Sequence, residues 1–363
     1  MAVTEQGLLA ALTSVQDPHT GQDFVSTRAL RNVQIHGGDV AFDVELGYPA
    51  KSLLPELRRS LVAAAKGVAG VENVSVNITT KVVAHAVQRG VQLLPQVKNI
   101  IAVASGKGGV GKSTTAANLA LALAAEGASV GVLDADIYGP SQPMMMGINR
   151  RPESDDGKTM EPLVNHGVQV MSIGFLVDQD EAMIWRGPMA TQALEQLLRQ
   201  TNWKDLDYLI IDMPPGTGDI QLTLSQRVPM TGAVIVTTPQ DIALLDAKKG
   251  IKMFEKVGVP ILGIVENMAV HVCSNCGQVE HIFGADGGKK MAADYGMDYL
   301  GALPLDMSIR LQADSGKPTV VADPDGEVAQ IYKKVAREVA VKIARQAKDF
   351  SSKFPTISIS KNT

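Results

Sequence analysis

The sequence contains no uninterrupted apolar stretch of about 18 residues, the length that a bilayer requires, so we expect no transmembrane helix. It also lacks a dense block of lysine and arginine. The lysines between Lys248 and Lys256 follow helical spacing, which is typical of a solvated helix face rather than a nucleic-acid-binding patch. Residues 1–10 lack a basic region followed by an apolar one, so no secretory signal is predicted. These absences predict a cytoplasmic protein that binds neither membrane nor nucleic acid.

The 363 residues are 45% hydrophobic and 20% charged, with a net charge of −4, a globular composition with enough length for two or more domains. Residues 1–90 combine helical and alternating patterns and predict a small α+β domain. We interpret residues 91–97 as a linker, residues 98–345 as a second domain, and the polar, serine-rich residues 346–363 as a disordered tail.

Strand and helix patterns alternate through the second domain. This alternation predicts an α/β fold with a mostly parallel, doubly wound sheet, in which ligands bind beyond the carboxyl ends of the strands. The predicted strands are Ile100–Ala104, Val130–Leu133, Val168–Ile173, Tyr208–Asp212, Ala233–Thr237, Ile261–Val265 and Tyr299–Ala302.

A glycine-rich stretch from Gly106 to Thr114 is the strongest functional signal in the chain. It contains the pattern G-x-x-x-x-G-K-[ST], a P-loop, whose backbone N–H groups bind phosphate oxygens. In this pattern Lys112 reaches the β- and γ-phosphates of a nucleotide, and the Ser113 hydroxyl faces Mg²⁺. The apolar run before the loop and the helix-forming run after it supply the strand and the helix that the motif requires. The predicted nucleotide-binding residues are Gly106, Lys107, Gly108, Gly109, Val110, Gly111, Lys112, Ser113, Thr114 and Asn267.

Polar residues that follow other predicted strands complete this site. Asp212 ends the hydrophobic run Leu209–Ile211 and is the expected second contact to Mg²⁺, directly or through a water. Asp134 and Asp136 end another strand, and we choose Asp136 to orient the attacking water; the alternative is that both acids cap the next segment. The Asn267 amide offers a donor and an acceptor for the adenine edge, although asparagine after a strand is also common in turns.

Cysteine is rare, and both cysteines, Cys273 and Cys276, stand three positions apart. A redox dithiol would require a thioredoxin-like setting that this segment lacks, and a disulfide over this spacing is strained and disfavoured in a reducing compartment. A zinc site could add His271 or His281, but it would lack a clear fourth ligand. An iron–sulfur cluster needs four thiolates, which a symmetric dimer would supply by contributing each cysteine twice.

Lys107 points to the same dimer. Because Lys112 already serves the phosphates of its own P-loop, a second lysine at the lip can reach a phosphate of a facing subunit and neutralise charge there. The alternative is a solvated loop lysine. Lys107, Lys112 and Asp136 are therefore the predicted catalytic residues.

The P-loop with its extra lysine resembles the deviant P-loop of the ArsA, MinD and ParA ATPases. Five further segments narrow the resemblance to the Mrp/ApbC branch of iron–sulfur cluster carriers over about residues 98–345: Asp134–Ser141, Trp185–Met189, Asp212–Asp219, Glu266–Met268 and Cys273–Gly277. Residues 1–90 resemble the MIP18-type domain that is often fused to this ATPase. Because Leu46–Ala50 lacks the cysteine that many such domains carry nearby, no metal ligand is predicted there.

This resemblance implies an ATP-hydrolysing homodimer that holds a [4Fe–4S] cluster through Cys273 and Cys276 of both subunits. It implies ATP and Mg²⁺ as cofactors, and apo iron–sulfur proteins and a cluster assembly scaffold as partners. The resemblance leaves Trp185 and Arg186 without a role. The alternative is a positioning or partition ATPase of the MinD/ParA type with a zinc-binding cysteine pair, for which the chain offers neither a basic face nor a terminal amphipathic helix.

Overall fold

A computed structural model of the protein describes residues 3–88, 90–177 and 187–347. Trp185, Arg186 and most of the predicted tail, from residue 348 onward, lie outside the described residues. In the described part, no helix is both long and apolar enough to cross a bilayer.

The N-terminal region forms a three-stranded sheet covered by two helices, α1 (Glu5–Leu12) and α2 (Leu54–Lys66). Strand β2 (Asp39–Leu46) lies in the middle, antiparallel to β1 (Leu30–His36) and parallel to β3 (Asn73–Thr80). Every second residue of β2 is buried, because alternate side chains of a strand point to the same face, and this face packs on the helices. The predicted α+β unit is therefore present in the fold.

The rest of the chain forms an eight-stranded sheet with helices on both faces, which confirms the predicted fold class. Its strands are, in chain order, β4 (Val97–Ala104), β5 (Val130–Asp134), β6 (Leu163–Asn165), β7 (Val168–Ser172), β8 (Leu206–Asp212), β9 (Gly232–Thr237), β10 (Ile261–Glu266) and β13 (Tyr299–Ala302). A separate small hairpin consists of β11 (His271–Val272) and β12 (Val279–Glu280). The helices are α3 (Lys112–Ala125), α4 (Gln142–Met145), α5 (Gly187–Gln200), α6 (Asp219–Arg227), α7 (Asp241–Lys256), α8 (Gly287–Asp294), α9 (Met307–Asp314), α10 (Thr319–Ala322) and α11 (Glu327–Ala344).

The strand order is β13-β10-β9-β4-β8-β5-β7-β6, and every neighbouring pair is parallel except β6 with β7. The central strands are continuous apolar runs because helices cover both of their faces. Strand β4, which precedes the P-loop, lies between β9 and β8 in the middle of the sheet. The carboxyl ends of β4, β5, β8 and β10 therefore meet at one edge, where the predicted site residues follow them.

The N-terminal unit is fixed to the second unit at the far end of α3. Lys51 N donates a hydrogen bond to the carbonyl of Glu126, the residue that caps α3, at 3.1 Å. The buried Glu126 carboxylate also accepts hydrogen bonds from the backbone and hydroxyl of Ser52 and an ion pair from Arg337 on α11 at 2.6 Å. Arg337 further donates to His19 at 3.1 Å. This polar cluster joins both units to the helix that begins at the P-loop.

Candidate nucleotide site and cysteine hairpin

The P-loop connects the end of β4 to the start of α3 through a tight glycine turn. Gly109 and Gly111 both have φ of 81°, a left-handed conformation that glycine adopts without a steric penalty. Gly106 packs against the backbone of α7, and a Cβ built on it would lie only 2.1 Å from the carbonyl carbon of Asp246. The loop thus needs glycine at these positions to leave its N–H groups facing one concavity at the N-terminus of α3.

Lys112 and Asp212 form a buried ion pair at the centre of the site. The Lys112 ammonium also lies 3.1 Å from the Ser113 hydroxyl. The side chains of Lys112 and Asp212 are 6% and 0% exposed, so neither charge is hydrated and each charge depends on the other for compensation. The pairing of β4 with β8 thereby brings together the predicted residues Lys112, Ser113 and Asp212, although Lys112 and Asp212 stand 100 positions apart in the sequence.

Gln142 at the start of α4 belongs to the same cluster, although it is not among the residues predicted from the sequence. Its Nε2 donates to Asp212 Oδ2 at 2.9 Å and to the carbonyl of Ser113 at 3.1 Å. Gln142 is fully buried, and the signal that the sequence offered was its position directly after the loop that follows Asp136. Two atoms here are buried without a hydrogen-bond partner among the described residues, Gln142 Oε1 and the hydroxyl oxygen of Ser141.

The two acids after β5 differ in their surroundings. Asp134 is fully buried and accepts four hydrogen bonds, from the backbone of Asp136, Ser141 and Gln142 and from the Ser172 hydroxyl, so it holds the loop in place. Burial, and next the charge of Asp212, raise its pKa. Asp136 is only partly buried, and burial is also the main cause that raises its pKa. Asp136 is therefore the more accessible acid of this pair, and its role in orienting water stays a prediction.

The site offers hard oxygen ligands of the kind that Mg²⁺ prefers. The Asp212 carboxylate pairs with Lys112, and after burial the negative charge of Asp212 contributes to the raised pKa of Asp134 and of Asp136. A divalent cation would compensate this negative charge, and the Ser113 hydroxyl lies beside the Lys112–Asp212 pair. The residues present thus fit a Mg²⁺·nucleotide ligand.

Asn267 follows β10 and touches the P-loop directly. Its Nδ2 donates to the carbonyl of Val110 at 2.9 Å, and its backbone N–H donates to Thr237. A Cβ built on Gly111 would lie 2.0 Å from this Nδ2, so glycine at that position also makes room for Asn267. The adenine-reading role of Asn267 stays a prediction; besides the bond to Val110, its amide has an oxygen acceptor and a second N–H donor.

The cysteine pair lies in the turn of the hairpin formed by β11 and β12, two strands that are not among those predicted from the sequence. Cys273 N donates to Gln278 at 2.9 Å, and Gly277 N donates to the carbonyl of Cys273 at 2.8 Å. Cys276 is exposed and Cys273 is half-buried, and neither is in a disulfide. Backbone N–H groups of Cys276 and then Asn275 lower the pKa of Cys273 by stabilising its thiolate.

Each of the two histidines beside the hairpin has its Nδ1 bonded to a backbone carbonyl. His271 Nδ1 is 3.0 Å from the carbonyl of Leu305, and His281 Nδ1 is 3.0 Å from the carbonyl of Ala269. Within the described ranges, no group of three or more histidine, cysteine, aspartate or glutamate side chains is arranged to hold a metal ion. A single copy of this part of the chain therefore offers two thiols and no further ligand beside them.

A family model described as the NUBPL iron-transfer P-loop NTPase matches residues 96–340. The chain belongs to this family. A second model, described as an iron-sulfur cluster assembly protein, matches residues 5–78. The NTPase family model covers the large sheet and ends within α11, and the second family model covers the N-terminal sheet up to β3.

Proteins of similar sequence and structure support this family assignment. The iron-sulfur cluster carrier protein of Escherichia coli is 51% identical over 333 residues, or 92% of this chain and 90% of that protein. The mouse iron-sulfur cluster transfer protein NUBPL is 55% identical over 245 residues, or 67% and 77% of the two chains. A nucleotide-binding protein from Archaeoglobus fulgidus, solved in complex with ADP, is 38% identical with a TM-score of 0.56, over 64% of this chain and 90% of that chain. The cell division ATPase MinD of Pyrococcus furiosus, at 23% identity and a TM-score of 0.50 over 66% and 98% of the chains, shares the fold.

Proposed function

We propose that this protein is an ATP-hydrolysing carrier that holds a [4Fe–4S] cluster between two copies of the chain and passes it to apo iron–sulfur proteins. One observation carries the proposal: Asn267, which donates a hydrogen bond to Val110 of the P-loop, leads within six residues into a hairpin with two free thiols. The names of relatives, cluster carrier and cluster transfer proteins, support the same role.

Two copies are required by the chemistry of the cargo. A [4Fe–4S] cluster is bound by four thiolates, whereas each chain has two cysteines. A twofold axis that passes near the hairpins would bring Cys273 and Cys276 of both copies around one cluster. The absence of further ligands beside the thiols, within the described residues, also argues against a zinc site in one chain.

In this proposal the nucleotide site hydrolyses ATP with the residues that surround it. Lys112 binds the phosphates in its own copy, Lys107 neutralises phosphate charge in the facing copy, and Asp136 orients the attacking water. Ser113 and Asp212 hold Mg²⁺, which neutralises charge on the phosphates, and Asn267 reads the adenine. The proposal keeps the expectation of a cytoplasmic carrier whose partners are apo-proteins and an assembly scaffold.

Anaerobic reconstitution with iron and sulfide tests the cluster. We expect broad visible absorbance and about four irons per pair of chains, from four thiolates. Cys273→Ala should lose the cluster, whereas Ser274→Ala, a change between the two cysteines, should retain it. Full cluster binding by Cys273→Ala would refute the proposed site. Metal analysis of protein purified without oxygen would separate iron from the zinc that the positioning-ATPase alternative requires.

A further inference from the structure

The turn after β10, Asn267 and Met268, contacts the P-loop and leads directly into the cysteine hairpin. Asn267 donates to the carbonyl of Val110, and Cys273 follows it by six residues in the chain. The side chain of Asn267 is almost fully buried, at 8% exposure, so this hydrogen bond does not compete with water. The nucleotide site and the thiols are thus connected by a very short piece of chain.

The hydrogen bond from Asn267 acts on a group that binds phosphate. The carbonyl of Val110 and the N–H of Gly111 belong to one planar peptide unit and point in opposite directions. Holding that carbonyl therefore fixes where the Gly111 N–H points, and the reverse also holds. A phosphate that draws the Gly111 N–H toward itself must change or reinforce the bond to Asn267.

Met268 shows that this turn is held under strain. Its φ is 55°, the left-handed region that residues with a Cβ enter only at an energetic cost. Its Cε lies in the same pocket as Asn267, 3.9 Å from the position of a Cβ built on Gly111. The end of the Met268 side chain is thus beside Gly111 of the P-loop.

The hairpin is attached to the same turn on its other side. Ala269, the next residue, accepts a hydrogen bond from His281 at 3.0 Å and donates to Leu303 at 3.0 Å. Leu305 N donates to Val270 at 2.8 Å, and His271 bonds back to the carbonyl of Leu305 at 3.0 Å. The first arm of the hairpin continues directly from the segment that begins at Asn267, and the second arm is bonded to that segment through His281, so a rotation of the segment would move the thiols.

We propose that Asn267 is a positioning residue that couples occupation of the P-loop to the placement of Cys273 and Cys276. Nucleotide binding reorients the peptide between Val110 and Gly111, Asn267 and Met268 follow, and the hairpin moves with them. This inference rests on the proposed function, because it assigns a purpose to a movement of the cluster-binding thiols. This coupling within one chain requires no contact between subunits.

Thiol alkylation in metal-free protein tests this coupling. We expect saturating Mg²⁺·ADP to change the rate at which iodoacetamide alkylates the two cysteines of the wild type by about fivefold or more, the lower range of allosteric coupling. Asn267→Ala should reduce the ratio of the rates with and without ADP to about one. Asn202→Ala, which removes an exposed amide bonded to Thr159 and Glu161, should keep the wild-type ratio.

A wild-type ratio of about one overturns the inference, and so does a wild-type ratio retained by Asn267→Ala. The second result would mean that the effect of ADP on the thiols does not pass through Asn267. If Asn267→Ala no longer binds ADP, Met268→Gly decides: glycine adopts the positive φ without strain and removes the side chain beside Gly111, which should lower the ratio at least about twofold. An unchanged ratio in that variant also overturns the inference. Because no cluster is present, failure here leaves the carrier proposal to its own reconstitution test.

Discussion

At the scale of single residues, the nucleotide site depends on one buried charge pair. Lys112 and Asp212 each lie out of contact with water, and Gln142 links Asp212 to the backbone of Ser113. A buried carboxylate without its partner is costly, because its hydration is not replaced. The ion pair therefore prepares the site for a ligand and also contributes to the stability of the ligand-free protein.

A double-mutant cycle measures this contribution. Lys112→Met should lower the free energy of unfolding of the nucleotide-free protein by about 3–5 kcal/mol, because it leaves Asp212 buried and unpaired. Lys112→Met combined with Asp212→Asn should cost much less, since no isolated charge remains. Urea unfolding of the four proteins gives the coupling energy. Equal losses in the single and the double variant would contradict the role given to the pair.

Gly106 gives a second prediction at this scale. Gly106→Ala places a Cβ 2.1 Å from the backbone of Asp246, so the loop or α7 must move, and we expect a loss of about 1–3 kcal/mol in urea unfolding and weaker nucleotide binding. Gly250→Ala, on the same α7, is the matched control. Its Cβ would meet Thr217 at 4.0 Å, an ordinary contact, and its stability should stay equal or rise. A Gly106→Ala protein as stable as Gly250→Ala would show that the close approach is not rigid.

At the scale of elements, the P-loop helix α3 has a different partner at each end. Its N-terminus faces the predicted phosphate site, and Glu126, which caps its C-terminus, binds Ser52 of the N-terminal unit and Arg337 of α11. Helix α11 also carries Glu338 next to Arg337, and His19 is hydrogen-bonded to both side chains. The docking of the N-terminal unit thus depends on a few charged side chains near one helix end.

Removing Arg337 should loosen this docking. Arg337→Ala leaves the buried Glu126 carboxylate without its cation, for which we expect a loss of about 3 kcal/mol in the free energy of unfolding. Arg310→Ala, which breaks an exposed pair with Asp314, should cost less than about 1 kcal/mol. Urea unfolding compares the two variants, and limited proteolysis between residues 81 and 97 reports release of the N-terminal unit. Similar losses in both variants would rule out a dominant role for Glu126 and Arg337.

Glu338 should make the same interface sensitive to acid. The hydrogen bond from His19 holds the pKa of Glu338 below its ordinary value of 4.5. A carboxyl whose pKa is lower in the folded state stabilises the fold at pH above its unfolded pKa, and this stabilisation is lost as the pH falls through the folded pKa. The wild type should therefore be more stable than Glu338→Gln near neutral pH, and the difference should shrink below about pH 4.5. Unfolding curves across this range test it, and a difference that grows in acid would contradict the assignment.

At the scale of the whole molecule, the proposed dimer joins two incomplete sites. Each chain has two of the four thiols that a cluster needs, and Lys107, half-buried at the lip of the P-loop, is proposed to serve the facing copy. Both proposals require the same twofold arrangement. A complementation experiment can therefore separate action within one chain from action across the dimer.

Lys107→Ala and Asp136→Ala should each abolish most ATP hydrolysis. In a mixed dimer, one site would combine the intact Asp136 of one copy with the intact Lys107 of the other, while the second site would lack both. Mixing equal amounts should therefore restore about a quarter of wild-type turnover, since half of the dimers are mixed and each has one active site. If Lys107 acts within its own chain, mixing restores nothing. Each variant measured alone at the same total concentration is the control.

Local patterns in the sequence determined much of the fold and of the candidate site. The P-loop, the strands of the large sheet except its antiparallel edge strand β6, and the cysteine pair follow from short-range signals: glycine spacing, apolar runs and the separation of two residues. Tertiary structure alone decided which side chains meet. Arg337 and Glu126 stand 211 positions apart, Asn267 and Val110 stand 157 apart, and Gln142 joins a site whose motif lies elsewhere. Such partnerships are set by the order of strands and the packing of helices, which bring distant residues together without leaving a local pattern.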